Sequence, residues 1–284
     1  MNVVRDYLSL LKLRVVLLLD ATAVGVMLPA AHGHPSVTAM LAVLIGGTFA
    51  AGGAHAVNCW FDRDIDATMN RTRRRPLPSG RIPAWHALAI GVVLIALSVA
   101  VLWAGANLLA AALALAGALV YVFVYTVWLK RSTPQNIVIG GAAGAVPPLV
   151  GWAAATGRLD ITALALFGVV FFWTPPHFWA LAQMLKNDYA RARVPMLPVV
   201  AGERSAKRQT IVYAVLTVAV SLVPFFTGSA GPIYLGGAIV LGAGLVGIAL
   251  LDLEVRGWTR RLWRYSMVYV ALLFAVFAVS PFLP

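Results

Sequence analysis

Residues 87–129, ALAIGVVLIALSVAVLWAGANLLAAALALAGALVYVFVYTVWL, contain no Asp, Glu, Lys or Arg and divide at Gly105-Ala-Asn107 into two apolar runs. Each run is close to the ~20 residues that a helix needs to cross a ~30 Å hydrocarbon layer. Inside that layer, backbone polar groups are satisfied only within helices or closed barrels. The two runs therefore read as consecutive membrane-spanning helices, 87–105 and 108–129.

Outward from this pair the same pattern recurs. The expected helices are 15–31, 37–57, 87–105, 108–129, 136–155, 161–185, 210–227, 232–251 and 266–282. Composition agrees, with 61% hydrophobic residues, 11% charged residues and a mean hydropathy of +0.86. A soluble domain carries about 25% charged residues. The expected fold is an all-α integral-membrane protein: about nine transmembrane helices in one bundle, a single domain over 1–284, around a cavity with polar cytoplasmic loops. The first run starts after Arg14 and leads straight into further spans without a small-residue cleavage site, so it is expected to be a retained helix and the start of the mature chain. Cys59 is the only cysteine, which excludes an intramolecular disulfide and a thiolate metal cluster.

The net charge of +12 does not indicate nucleic-acid binding, because the basic residues lie in the connections between apolar runs, beside lipid headgroups. With the N-terminus inside, all but one of the 22 Lys and Arg residues fall on the cytoplasmic side, the exception being Arg158. The expected location is the cell (inner) membrane, multi-pass, with a cytoplasmic N-terminus and Pro284 outside. Five of the ten acidic residues, Asp62, Asp64, Asp66, Asp188 and Glu203, cluster in or beside the two long polar loops after helices 2 and 6. Both helices run outside to inside, so these carboxylates meet at one membrane face.

The first loop opens with Asn58-Cys-Trp-Phe-Asp62-Arg-Asp-Ile-Asp66. Asn58, Asp62 and Asp66 follow at i, i+4 and i+8, forming one stripe about 12 Å long, while Asp64 points away. Their hard oxygens suit Mg²⁺, which completes its shell with water and substrate phosphates. Arg71-Thr-Arg-Arg-Arg75-Pro76 follows and concentrates guanidinium forks of the kind that grip phosphate oxygens. The bland alternative is a helix end whose carboxylates pair with neighbouring arginines while the arginines bind headgroups.

In the second region Trp173-Thr-Pro-Pro-His177-Phe-Trp-Ala180 precedes Lys186-Asn-Asp188-Tyr189 and Val194-Pro-Met-Leu-Pro198. Two adjacent prolines are expected to break helix 6, with Thr174 as the N-cap of a restarted half-helix. His177, Leu181, Met184 and Asp188 would then share a face, placing His177 about 16 Å deeper than Asp188. His55 lies about 10 Å deeper than Asp62, close to its stripe. Each histidine either lines a cavity or is hydrogen-bonded between helices. Lys130, Arg131 and Lys186 are candidate diphosphate contacts, with positive-inside anchoring the alternative for Lys130 and Arg131. Close helix packing is the reading preferred for Gly140, Gly141 and Gly144.

Asn58, Asp62 and Asp66 with Arg71-Thr and Arg75-Pro resemble the first signature of the UbiA-type membrane prenyltransferases. The run from Thr174 to Ala180, Asp188-Tyr189 and Pro195-Met-Leu-Pro198 are similar, more narrowly, to the branch of that family that farnesylates protoheme. The resemblance extends from Lys12 to the helix near Thr210. It implies Mg²⁺ dependence, farnesyl diphosphate as donor, heme B as acceptor and heme O as product, with heme A synthase or oxidase assembly as partners. On this reading Asn58, Asp62, Asp66 and Asp188 hold the metal, and Asp62, Asp66 and Asp188 are catalytic. Arg71, Arg75, Lys130, Arg131 and Lys186 bind diphosphate, and His177 and His55 contact heme. Trp60, Tyr125 and Phe178 are candidates to face an allylic cation.

One departure is that Asp188 is followed four residues later by Ala192 where many relatives carry a second Asp, which favours the heme branch. Two rivals are a related enzyme that prenylates an aromatic quinone precursor or a chlorin, and a secondary transporter. The Pro-Pro-His run argues against the first. The second would place its charges at mid-membrane.

Overall fold

The computed structural model describes residues 3–282, so Pro284, on which the expected exterior C-terminus falls, lies outside the described residues. Among the described residues, nine helices are long and apolar enough to cross a membrane. They are α1 (Leu13–Ala30), α2 (Val37–Phe61), α3 (Ala84–Gly105), α4 (Leu108–Ser132), α5 (Asn136–Thr156), α6 (Ile161–Met184), α7 (Gly202–Phe226), α8 (Pro232–Glu254) and α9 (Thr259–Phe282). They match the expected spans one for one and differ at their ends. Helices α7 and α9 begin at Gly202 and Thr259 rather than near 210 and 266, because helical hydrogen bonding continues through turns bearing Lys207, Arg208, Arg260, Arg261 and Arg264. Hydropathy ends a span where the lipid ends; the backbone ladder does not.

Helices α1, α5, α6 and α9 pack in a closed ring of four, with α2, α3 and α4 on one flank and α7 and α8 on the other. Lipid tails are as apolar as leucine, so contact between spans depends on close van der Waals fit rather than on hydrophobic exclusion. At the α2–α3 crossing, a Cβ on Gly53 would stand 2.7 Å from the Gly91 carbonyl oxygen, and one on Gly91 would stand 2.8 Å from that of Gly53. Gly151 of α5 lies against the Ala23 carbonyl of α1 with no room for a methyl group. Leu17, Leu18, Trp103, Phe123 and Val240 are left exposed, as lipid-facing side chains should be.

The expected break at Pro175-Pro176 does not occur: α6 is continuous from Ile161 to Met184. Thr174 is not an N-cap but lies within the helix, its hydroxyl donating to the Val170 carbonyl at 2.8 Å. The two prolines remove two backbone donors, yet both are buried in a helix held by α5, α7 and α9, and packing outweighs that loss. The interruption falls instead at Leu185, before a short helix Lys186–Arg191.

The unexpected local feature is in α4, where Val120–Leu129 winds as a π-helix. Widened turns of this kind re-aim side chains, and here the Thr126 hydroxyl donates to the Tyr121 carbonyl five residues back.

Candidate active site

The two polar loops meet over an apolar floor. Ile65 and Met69 from the first pack with Tyr189, Val194 and Met196 from the second, against Ile137 and Ala182 and beside Tyr125 and Phe178. This floor carries Asp188 to the first loop, where its Oδ2 accepts from the Arg71 backbone N–H at 3.4 Å. Its Oδ1 pairs with Arg191 at 3.0 Å.

The expected stripe is intact across the end of α2. Asn58, Asp62 and Asp66 are all buried, and the Asp62 and Asp66 N–H groups donate to the carbonyls of Asn58 and Asp62 at 2.9 and 2.8 Å, so the helical register carries through into Arg63–Thr68. Asn58 Nδ2 donates to Asp62 Oδ2 at 2.6 Å and to Thr126 of the π-helix at 3.1 Å. Its Oδ1 accepts from Lys12 at 3.1 Å. With both ends of its amide engaged, Asn58 is placed as the brace of Asp62. Lys130 donates to Asp62 Oδ2, and Arg75 to Asp66 Oδ2 at 2.7 Å.

Asp64 points away, as its position on the helix requires. It is exposed and takes both arms of Arg131, at 2.7 and 2.8 Å. That hydrogen bond and charge hold the Asp64 carboxyl down at about 2. Arg131 is thus largely committed to Asp64, with Asp62 Oδ1 3.7 Å from it. Lys186 is also set apart from the stripe, pairing with Glu203 at 3.3 Å on the exposed side. Arg71 is the opposite case: its guanidinium has no hydrogen-bond partner among the described residues, and it lines a cavity of about 700 Å³ together with Lys12, Cys59, Asp66, Arg74 and Arg75.

Lys12 is the site residue that sequence reasoning missed. Lys12 precedes α1 with a left-handed backbone, φ 50°, that turns its side chain inward to Asn58. Burial pulls its ammonium below the ordinary lysine range. A lysine at a span's edge reads as a headgroup anchor, and only the tertiary contact distinguishes the two roles.

Hard oxygens suit Mg²⁺, and among the described residues Asp62 Oδ1 is buried without a hydrogen-bond partner, with Arg131 3.7 Å away, so it can take a ligand in the middle of the stripe. Among the described residues no three His, Cys, Asp or Glu side chains stand close enough to hold an ion by themselves. An ion on Asp62 or Asp66 would complete its shell from water and a substrate's phosphates, as Mg²⁺ commonly does.

The two histidines lie on different helices with different partners. His55 is buried, with Nδ1 3.2 Å from the Tyr121 hydroxyl and Nε2 unpartnered. His177 faces α9, with Nδ1 2.9 Å from Ser266 Oγ, and its ring lies near parallel to those of Trp173 and Trp263. Tyr125 and Phe178 share the floor between the loops. Trp60 does not join them; it packs near Cys59 and Leu77 and lies under the Arg63 guanidinium.

The bundle and its charged rim define a polytopic membrane protein of the UbiA prenyltransferase family, to which the chain belongs: residues 18–257 match that family's model. The chain is 51% identical over 277 residues to a protein of Symbiobacterium thermophilum named protoheme IX farnesyltransferase, covering 96% of this chain and 93% of the relative. A Roseiflexus protein of the same name is 50% identical over 98% of this chain, which spans only 53% of that longer relative. Among solved structures, digeranylgeranylglyceryl phosphate synthase superposes with a TM-score of 0.82 at 19% identity, covering 99% of both chains. A UbiA homolog from Archaeoglobus fulgidus bound to GPP and Mg²⁺ superposes at 0.71 and 20% identity, over 96% of this chain and 100% of the homolog. At these identities the likeness is one of fold.

Proposed function

We propose that the protein transfers a farnesyl group from farnesyl diphosphate to the vinyl group of protoheme IX (heme B), with addition of water, giving heme O and diphosphate. The observation that carries this reading is the near-full-length identity, with both chains covered above 90%, to a relative named for that reaction. The site's chemistry supports it.

The diphosphate lies in the Arg-lined cavity, its oxygens toward Arg71 and Arg75. Lys130 moves between Asp62 and the diphosphate. Asp62 and Asp66 would hold Mg²⁺ through water and the diphosphate's own oxygens, with Asp188 facing them across the rim, and the ion when bound neutralises charge on the departing group. The C1–O bond breaks and the diphosphate leaves with the electron pair, among cations already fixed in place. Tyr125 and Phe178 face the allylic cation with their rings. The vinyl π pair forms the new carbon–carbon bond, and water adds to the cation beside the porphyrin with loss of one proton. No covalent enzyme intermediate is needed.

The acceptor is held deeper, on the side of His177 and His55. The enzyme works in the cell (inner) membrane with its rim cytoplasmic, and heme A synthase or an oxidase-assembly factor receives the product. Chromatography and mass spectrometry of heme extracts from cells with and without the gene test the reading: heme O, or heme A made from it, should be present only with the gene. Unchanged heme profiles would refute it.

A further inference from the structure

Ser266 is fully buried on α9, and its Oγ stands 2.8 Å from the Trp263 carbonyl, an oxygen that can only accept. His177 Nδ1 lies 2.9 Å from the same Oγ. Both contacts are hydrogen bonds together only if the hydroxyl donates to the carbonyl and His177 donates to Oγ, the tautomer with its proton on Nδ1 and its lone pair on Nε2. Nε2 has no hydrogen-bond partner among the described residues and is not sealed in the protein, since the side chain is half-buried.

The plane of the ring is fixed as well as its tautomer. Trp173 stacks on the imidazole at 4.6 Å between centroids and 19° between planes, and Trp263 lies on it at 6.1 Å and 28°. Trp173 is itself tied to Ser266, its indole N–H donating to the Ser266 carbonyl at 2.7 Å. One residue of α9 therefore anchors both the histidine and the ring beside it. Trp263 Nε1 is buried and without an acceptor, a further free donor next to the imidazole. A histidine that served only to join α6 to α9 would not need its second nitrogen left open and its plane clamped. A neutral imidazole with Nδ1–H held by an acceptor and a bare Nε2 is the form that ligates a metal, and the acceptor behind it orients the ring and raises its basicity.

We propose that Ser266 is a positioning residue for the acceptor: by holding His177 as the Nδ1–H tautomer, it presents Nε2 as an axial ligand to the heme iron. This rests on the reading that heme B is the acceptor, and ligation would fix the distance of the iron from α6.

The test uses the full chain purified in lipid nanodiscs and titrated with ferric protoheme alone, so that no turnover is needed. The wild-type protein should give the optical and resonance Raman signature of histidine-ligated iron. His177→Gly should lose it, and free imidazole should restore it. Ser266→Ala should weaken heme binding about tenfold, the scale of losing such an outer-shell partner. It should also lower the iron–imidazole stretching frequency on reduction, while farnesyl diphosphate binding stays within twofold. Ser266→Thr, which keeps the hydroxyl, should return both toward wild type. A wild-type complex without histidine ligation, or a Ser266→Ala protein with unchanged heme affinity and iron–imidazole frequency, would overturn the proposal. A protein that makes heme O without histidine ligation refutes only the Ser266–His177 role. One that ligates heme but makes no heme O refutes only the acceptor reading.

Discussion

Lys130 donates to Oδ2 of Asp62, while Oδ1 of the same carboxylate is buried without a hydrogen-bond partner. One oxygen is thus hydrogen-bonded to a cation, while the other lies 3.7 Å from Arg131 without a hydrogen bond among the described residues, an arrangement suited to an anionic substrate that arrives with a metal ion. The cation has a second anion to turn to, and the second oxygen gains a ligand. Asp62→Asn keeps the shape and removes the charge, and turnover should fall by at least about 100-fold, the scale of losing a fixed electrostatic partner of the transition state. Asp64→Asn removes only an exposed pair, worth at most ~1 kcal/mol, and should lower turnover less than about fivefold. Steady-state rates at equal protein level distinguish the two; equal losses would contradict the division of roles along this turn.

The Asp64–Arg131 pair also has a pH signature. Because the folded-state pKa of Asp64 is depressed to about 2 from 3.8, its contribution is present above pH 3.8 and is lost as pH falls through 2. The group is mostly exposed, so the effect should be below ~1 kcal/mol. Thermal melts of wild type and Asp64→Asn should differ slightly at pH 6 and converge near pH 2.

Arg71 presents to the cavity a guanidinium with no hydrogen-bond partner among the described residues, whereas Arg75 is already bound to Asp66. Arg71→Gln should raise KM for farnesyl diphosphate about 10- to 100-fold, the scale of a charge-assisted phosphate contact. Heme affinity and melting temperature should hold. A variant with unchanged KM would move the diphosphate away from this wall.

Most of the fold was legible because the membrane imposes one rule on every span, and uncharged runs such as 87–129 obey it without interference. The stripe was legible for a similar reason: Asn58, Asp62 and Asp66 keep helical spacing through the end of a span, where hydropathy already fails. Pro175-Pro176 misled because propensity was weighed without the three helices that clamp α6. The π-helix in α4 and the inward turn of Lys12 had no signal at all, since each depends on partners, Asn58 and Thr126, that meet only in the folded bundle. Arg131, expected among the diphosphate contacts, pairs with Asp64 and stands 3.7 Å from Asp62, and a sequence does not tell which carboxylate a neighbouring cation will face.

Close approach of α1 and α5 at Gly151 predicts a stability effect remote from the rim. Gly151→Ala should destabilise by about 1–3 kcal/mol through overpacking. Gly144→Ala on the same helix, where a methyl meets nothing within 4 Å, should be neutral. Melting curves of the purified proteins compare them directly.

Orientation is open to a reporter test. A fusion in the 63–83 loop should report the cytoplasm and one after Pro284 the exterior, as the distribution of Lys and Arg requires. A cytoplasmic signal from both would mean an even number of spans.

The acceptor is the central claim, and one measurement addresses it without cells. Purified protein in nanodiscs, given farnesyl diphosphate, Mg²⁺ and an equal mixture of ferrous protoheme and an aromatic quinone precursor, should convert only the protoheme. The product should have the mass of protoheme plus one farnesyl group and one hydroxyl, as read by mass spectrometry. Prenylation of the quinone precursor with protoheme left intact would contradict the account.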